Sequence, residues 1–246
     1  MFTAISHLKS IKHPKVVILT GAGISAESGV KTFRDNNGLW ENHKVEDVAT
    51  PEAFARDPAL VYQFYNDRRA QLIGGNINPN LAHVALAKLG RVLQDQLVIV
   101  TQNVDDLHER GGCKDVIHMH GELLSAKCIN TGKSARFNTD VSADTLCACC
   151  QPTASMRPDI VWFGEMPYHM DIIQQHLSDA DLFISIGTSG NVYPAAGFVQ
   201  LASYAGAYTL ELNLEPSEGQ SDFAECHYGL ASELVPAFVD ELCACL

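Results

Sequence analysis

A chain of 246 residues, 46% apolar and 19% charged, can bury roughly 70–75% of its unfolded surface in one large core without covalent staples. A formal charge of −12 argues against nucleic acid or an anionic membrane as the main partner. There is no run of about 18 apolar residues and no basic-then-apolar leader, so a cytoplasmic chain is expected, with its eight cysteines reduced or bound to metal.

Residues 16–19 read as a buried strand, followed by Thr20-Gly21-Ala22-Gly23-Ile24-Ser25-Ala26-Glu27-Ser28-Gly29. Gly21, Gly23 and Ala26 fit G-x-G-x-x-G/A, in which glycine lets the backbone approach a pyrophosphate and a helix N-terminus offers N–H donors. The acidic residue expected about 20 positions later is not placed on a second strand, so the hydride-carrier form of the fingerprint fits poorly. The bland alternative is a plain turn. Residues 31–40 are polar and aromatic and read as a loop over the site.

Thr50-Pro51-Glu52 opens a predicted helix over 50–73, with Thr50 as cap and Pro51 in the first turn. Val61, Tyr65, Arg68 and Leu72 share one face of it. An arginine on such a stripe either snorkels at the core edge or, with Tyr65, faces a pocket and awaits an anionic group. Asn78-Pro79 starts another helix, with Leu81, Ala85, Leu89 and Val92 as its stripe and His83 structural.

Residues 97–101 form a second buried strand, ending in Gln102, Asn103, Asp105, Asp106 and His108. After a Gly-Gly turn, Val116-Ile117 leads into His118-Met119-His120-Gly121. Two strands thus bring amides, carboxylates and imidazoles to one end of a sheet, where ligands of open parallel sheets bind. On the residues alone, either histidine could be a satisfied core group.

The segment 122–158 differs in composition and reads as a small inserted lobe. Cys147 and Cys150 form C-x₂-C, and Cys147 lies 19 positions after Cys128, the spacing of a zinc ribbon. Position 131, where a fourth cysteine is expected, is threonine. A structural zinc ion on Cys128, Cys147 and Cys150 is expected, with Cys149 as rival to Cys150. Strands over 159–163, 181–186 and 208–212 alternate with helices over 170–177, 194–204 and 231–243. The second strand ends in Gly187-Thr188-Ser189, the third in Asn213 and Glu215. This order predicts an α/β protein with a parallel sheet and the small lobe at 122–158.

Together these motifs resemble the sirtuin family. The likeness is carried by Gly21 to Gly29 with Thr32-Phe33-Arg34-Asp35, by Thr101-Gln102-Asn103-Val104-Asp105 with Leu107-His108, by His120-Gly121, and by Gly187-Thr188-Ser189 and Asn213-Leu214-Glu215. The segments VIHMHGELL, VWFGEMP, GTSGNVYPAAGF and ELNLEPS are similar to the bacterial CobB-type branch. The resemblance implies that 1–246 is one domain with a Rossmann-like sheet. It also implies removal of acyl groups from lysine on proteins or peptides, with NAD consumed as co-substrate and zinc structural. By the same likeness, His120 is the general base and Asn103 and Asp105 surround the nicotinamide and ribose. Gly21, Ala22, Gly23, Ser25, Ala26, Thr32, Phe33, Arg34, Trp40, Gln102 and Val104 line the NAD site. Gly187, Thr188, Ser189, Asn213, Leu214, Glu215 and Ala231 continue it toward the adenosine. Tyr65-Asn66-Asp67-Arg68 is similar to the Y-x-x-R pair of sirtuins acting on succinyl- or malonyl-lysine. No nucleic-acid or membrane partner is expected, and the chain is expected to be a monomer.

Overall fold

The computed structural model describes residues 2–31, 39–40 and 43–246. In chain order the elements begin α1 (Thr3–Leu8), β1 (Val16–Thr20), α2 (Gly23–Ala26), β2 (Leu39–Trp40), β3 (His43–Lys44), α3 (Val45–Val48), α4 (Pro51–Arg56), α5 (Pro58–Ile73) and α6 (Leu81–Leu93). β4 (Leu97–Thr101), α7 (Leu107–Arg110) and β5 (Ile117–His118) follow. Next come β6 (Gly121–Cys128), β7 (Ser134–Arg136) and β8 (Met156–Ile160), and then α8 (Met170–Ser178), β9 (Leu182–Ile186), α9 (Phe198–Tyr204), β10 (Tyr208–Asn213), β11 (Glu225–Tyr228) and α10 (Ala231–Cys243).

Six strands form one sheet in the order β11-β10-β9-β1-β4-β5, every pair parallel. A parallel strand covered on both faces needs apolar residues throughout, and β1 (VVILT) is buried at all five positions. Val16 and Ile18 pack with α1, α6 and α10 on one face; Val17 and Leu19 pack with α8 and α9 on the other. From β1 the chain builds outward through β4 and β5, then returns to add β9, β10 and β11 on the opposite side. The order reverses between β1 and β9, so the crevice at the carboxyl ends of these strands is the expected ligand position.

β6, β7 and β8 make a separate antiparallel sheet, in the order β7-β6-β8. The chain enters it through Gly121, whose positive φ of 84° and contact with the Asp159 carbonyl leave no room for a Cβ. The strand expected over 159–163 is instead Met156–Ile160 and belongs to this second sheet. Beyond it, Val161 and Phe163 use their N–H groups on the carbonyls of His120 and Ala49.

The helix expected over 50–73 is two helices. Thr50 caps α4 by accepting from the Ala53 N–H at 3.0 Å, but Asp57 leaves the helical region and accepts from the Leu60 N–H at 3.1 Å, capping α5. Pro58 is the reason: it has no N–H for α4 to use, yet suits the first position of a new helix. α6 starts at Leu81, after Asn80 and His83 close a capping box. Its buried stripe is Ala82, Ala85, Leu86, Leu89 and Leu93, whereas Leu81 and Val92 are 64% and 47% exposed. The stripe drawn from the sequence is thus rotated by about one residue from the face that meets α10. The sequence reading omits β11, an edge strand of four polar or mixed residues, ECHY, with no apolar alternation.

Candidate active site

The turn after β1 and the turn after β9 are in contact. A Cβ on Gly21 would lie 2.8 Å from the Gly187 carbonyl oxygen, and one on Gly23 would lie 2.7 Å from the Gly187 Cα. Gly23 N–H donates to that same carbonyl at 2.7 Å. The glycines are therefore required by the packing of two turns at the switch point before any ligand is considered. Gln102, at the end of β4, donates through Nε2 to Thr188 Oγ1 (3.0 Å), and Asn213, at the end of β10, donates to the Thr188 carbonyl (2.8 Å). Asn103 Nδ2 reaches the Gly21 carbonyl (3.1 Å) and Ser25 Oγ (3.2 Å). Four strand ends are thereby joined into one polar floor.

Asn103 and Asp105 are both buried in that floor. Burial raises the Asp105 pKa, opposed by the Leu107 N–H, by Ser25 and by the His118 charge. Beneath them Thr20 Oγ1 bonds Thr101 Oγ1 (2.8 Å) and lies 2.9 Å from His108 Nε2. Burial pushes His108 down to about 3 and His83 down to about 4, so both are neutral struts. His83 is structural, as its helix position implies.

His118 and His120 differ in what their nitrogens meet. His120 Nδ1 lies 3.1 Å from the Gln102 carbonyl, which can only accept; Nδ1 therefore carries the proton and Nε2 carries the lone pair. Burial lowers its pKa, the carbonyl offsetting part of the effect. His118 has the Asn103 carbonyl at Nδ1 (3.3 Å) and the Glu109 carboxylate at Nε2 (2.8 Å). Both partners accept, so both ring nitrogens donate. Burial disfavours the charge, but Glu109 outweighs it and the pKa is raised. Of the two, His120 is the one with a nitrogen able to take a proton.

Tyr65 is fully buried, and its phenol oxygen accepts from the Trp162 indole Nε1 at 3.0 Å. Burial raises its pKa, so it remains a phenol. The Arg68 guanidinium lies over the Phe64 ring at 4.1 Å, donates to the Phe64 carbonyl at 2.8 Å, and is close enough for its charge to act on Tyr65. The arginine that enters the core is its neighbour. Arg69 is 1% exposed and bonds the Leu123 carbonyl (3.1 Å) and Asn66 Oδ1 (2.6 Å), tying α5 to β6.

The Sγ atoms of Cys128, Cys147, Cys149 and Cys150 all lie within 4.8 Å of one another. Tetrahedral zinc with Zn–S bonds of about 2.3 Å places sulfurs about 3.8 Å apart, and Cys128 and Cys150 are 3.8 Å apart. The donor set fits structural zinc. The three expected ligands are all in the cluster, and Cys149, the expected rival of Cys150, lies there beside them. Thr131 stands beside the cluster, its hydroxyl 3.0 Å from Cys149 Sγ. The Ala154 N–H, then the Cys150 thiol, draw Cys147 down to about 6, toward the thiolate a metal needs. Purified protein is expected to hold about one zinc per chain. Cys147→Ser and Cys149→Ser should each lose most of it and Cys113→Ser, outside the cluster, none; metal analysis showing full zinc in either of the first two variants would refute the four-ligand site.

The other expected residues lie in or next to the elements already given. Ala22, Ser25 and Ala26 lie in or beside the short α2. The Val104 carbonyl accepts from Leu123 N–H at 2.8 Å, the Ser189 carbonyl from Glu218 N–H at 3.0 Å. Leu214 follows Asn213, Glu215 lies just beyond β10, and Ala231 opens α10. Trp40 stands in β2, paired in register with His43. Thr32, Phe33 and Arg34, with the rest of 32–38 within the loop expected over 31–40, lie outside the described residues. The sequence reading passes over Glu211, buried in β10, which accepts from Ser217 N–H (3.1 Å), Asn213 Nδ2 (3.4 Å) and Tyr228 OH (3.2 Å). A charged residue inside an apolar strand was the available signal.

Residues 21–194 match the Sir2 family model. An "NAD-dependent protein deacylase" of Pasteurella multocida is 61% identical over 228 residues, 93% of this chain and 97% of its own. A solved Sir2 homolog in complex with NAD has a TM-score of 0.85 at 35% identity, covering 98% of this chain and 93% of its own. A mutant Sir2 homologue in complex with 2'-O-acetyl ADP ribose has a TM-score of 0.85 at 34% identity, covering 98% and 96%. Among the described residues, no helix is long and apolar enough to cross a membrane.

Proposed function

From the premise that the chain belongs to the Sir2 family, we infer that it is an NAD-dependent protein deacylase, removing acetyl and succinyl groups from lysine. The observation that carries the reading is His120. Its Nδ1 is fixed on the Gln102 carbonyl, and that same glutamine ties β4 to Thr188 at the switch point, so a proton acceptor stands at the edge of a strand-end floor.

Breaking the nicotinamide–ribose bond builds positive charge on the ribose. A buried floor of oriented dipoles stabilises that charge better than mobile water does. Asn103 and Asp105 supply the floor; Gly21 and Ala22 lie against the phosphates; Thr188, Ser189, Asn213, Leu214, Glu215 and Ala231 run along the adenosine. The acyl-lysine oxygen attacks the ribose carbon as nicotinamide leaves. His120 Nε2 takes the proton of a ribose hydroxyl, which lets that oxygen capture the acyl carbon. With one water consumed, the products are nicotinamide, free lysine and O-acyl-ADP-ribose.

The peptide adds as a strand near Gly164-Glu165 and Gly190-Asn191-Val192, between the main sheet and the small lobe at 122–158. Tyr65 and Arg68 receive the carboxylate of a succinyl group. The substrates are acylated proteins of the cytoplasm, and the enzyme works as a monomer without nucleic acid or membrane. Incubation with NAD and acetylated or succinylated peptide, followed by mass spectrometry, tests the reading. Nicotinamide with O-acyl-ADP-ribose is the expected outcome. NADH would point to an oxidoreductase, ADP-ribosylated protein to a transferase, and NAD binding without turnover to a sensing module.

A further inference from the structure

We propose that Trp162 is a positioning residue for acyl-chain selection, its indole N–H setting the direction in which the Tyr65 hydroxyl donates. The inference rests on the reading above that Tyr65 and Arg68 meet the acyl carboxylate. Tyrosine has one O–H and a lone-pair side. In this fold the lone-pair side is engaged by Trp162 Nε1 at 3.0 Å, deep in the core. A phenol already accepting one hydrogen bond is polarised toward donating the next. A carboxylate needs that donation, whereas the methyl of an acetyl group has no use for it.

Trp162 is itself held from three sides. Its backbone N–H donates to Glu165 Oε2 at 2.9 Å, and the two Glu165 oxygens bind Arg157 Nη2 at 2.6 and 2.8 Å. The Arg157 guanidinium lies over the indole at 3.8 Å to the ring centroid. Phe54 packs beside the indole, with ring centroids 5.2 Å apart. The ion pair on β8 and its following turn thus locks the indole, and the indole fixes a hydroxyl on α5. Phenylalanine at 162 keeps an aromatic ring for the Arg157 and Phe54 contacts and removes the N–H together with part of the ring volume, so the effect is read from the ratio of the two activities and from the Tyr65→Phe background.

The test measures kcat/KM on succinylated and acetylated forms of one peptide for the wild type, Trp162→Phe, Tyr65→Phe and the double variant. Trp162→Phe is expected to lower the succinyl-to-acetyl ratio roughly fivefold, through KM for the succinyl peptide, and to lower it no further when Tyr65 is already phenylalanine. Equal losses on both peptides, or the same drop in the Tyr65→Phe background, would overturn the proposal. If Tyr65→Phe and Arg68→Met both leave the ratio unchanged, the pocket reading itself fails; if they lower it and Trp162→Phe does not, only the positioning role fails. Should Trp162→Phe not fold, hydrogen exchange of the Trp162 indole N–H decides the matter. It should be slow in the wild type and faster in Tyr65→Phe, and identical rates would reject the link.

Discussion

Replacing His120 with alanine is expected to lower deacylation kcat/KM by about a thousandfold, within the range set by a general base that acts in the transition state. The expectation follows from the pairing of its nitrogens. With Nδ1 donating to the Gln102 carbonyl, Nε2 keeps its lone pair. His118 cannot take over, because Glu109 and the Asn103 carbonyl together occupy both its nitrogens as donors. The side chain makes one hydrogen bond to a carbonyl, so its removal should cost stability only about 1 kcal/mol. A melting temperature within a few degrees of the wild type would show that the lost rate is chemical. The pH profile supplies an independent check. A base works when neutral, so activity falls as the pH drops through its pKa. Burial holds the His120 pKa below the ordinary 6.5. The acid limb of the wild-type kcat/KM should therefore lie on the acid side of the ordinary histidine range, and the residual activity of His120→Ala should lack that limb. A variant that keeps a tenth of the rate would remove His120 from the role of base.

The main sheet was legible because its strands are continuous apolar runs that stop abruptly at polar clusters, and β1, β4, β9 and β10 all do this. What stayed hidden depends on partners distant in the chain. Gly21 and Gly23 read as a phosphate cradle, yet their first duty is to admit Gly187, 166 and 164 positions away (187 − 21, 187 − 23). Asp57-Pro58 was a local cap signal, overlooked because the helical stripe ran on through it. The spacing rule set Cys149 against Cys150, since C-x₂-C has room for one of them. The cluster takes both, with the Thr131 hydroxyl against Cys149, and only the folded β6 and the loop before β8 bring these groups together. Trp162 looks like ordinary core until its indole is seen to reach Tyr65, on a helix 97 positions earlier.

Arg68→Met is expected to lower kcat/KM on a succinylated peptide by about a hundredfold and on the acetylated peptide by only a few-fold. The larger figure is the cost of leaving a carboxylate in a pocket stripped of its charged fork, about 2–3 kcal/mol. Methionine is the chosen replacement because it keeps a long, flexible, apolar stem to pack on the Phe64 ring, where the guanidinium now lies at 4.1 Å. Packing around α5 is then largely retained, and what disappears is the charge and the planar set of donors. Arg69 guards against a misreading. It sits next in the chain and is the buried arginine that anchors α5 to β6, so Arg69→Met should destabilise the fold and depress both activities alike. Lysine at 68 separates the contribution of charge from that of geometry. It restores the positive charge but offers no bidentate fork, and should recover only part of the succinyl rate. Equal losses on the two peptides in Arg68→Met would mean that the guanidinium supports α5 and does not read the acyl group; selectivity would then have to come from a side chain other than the Tyr65–Arg68 pair.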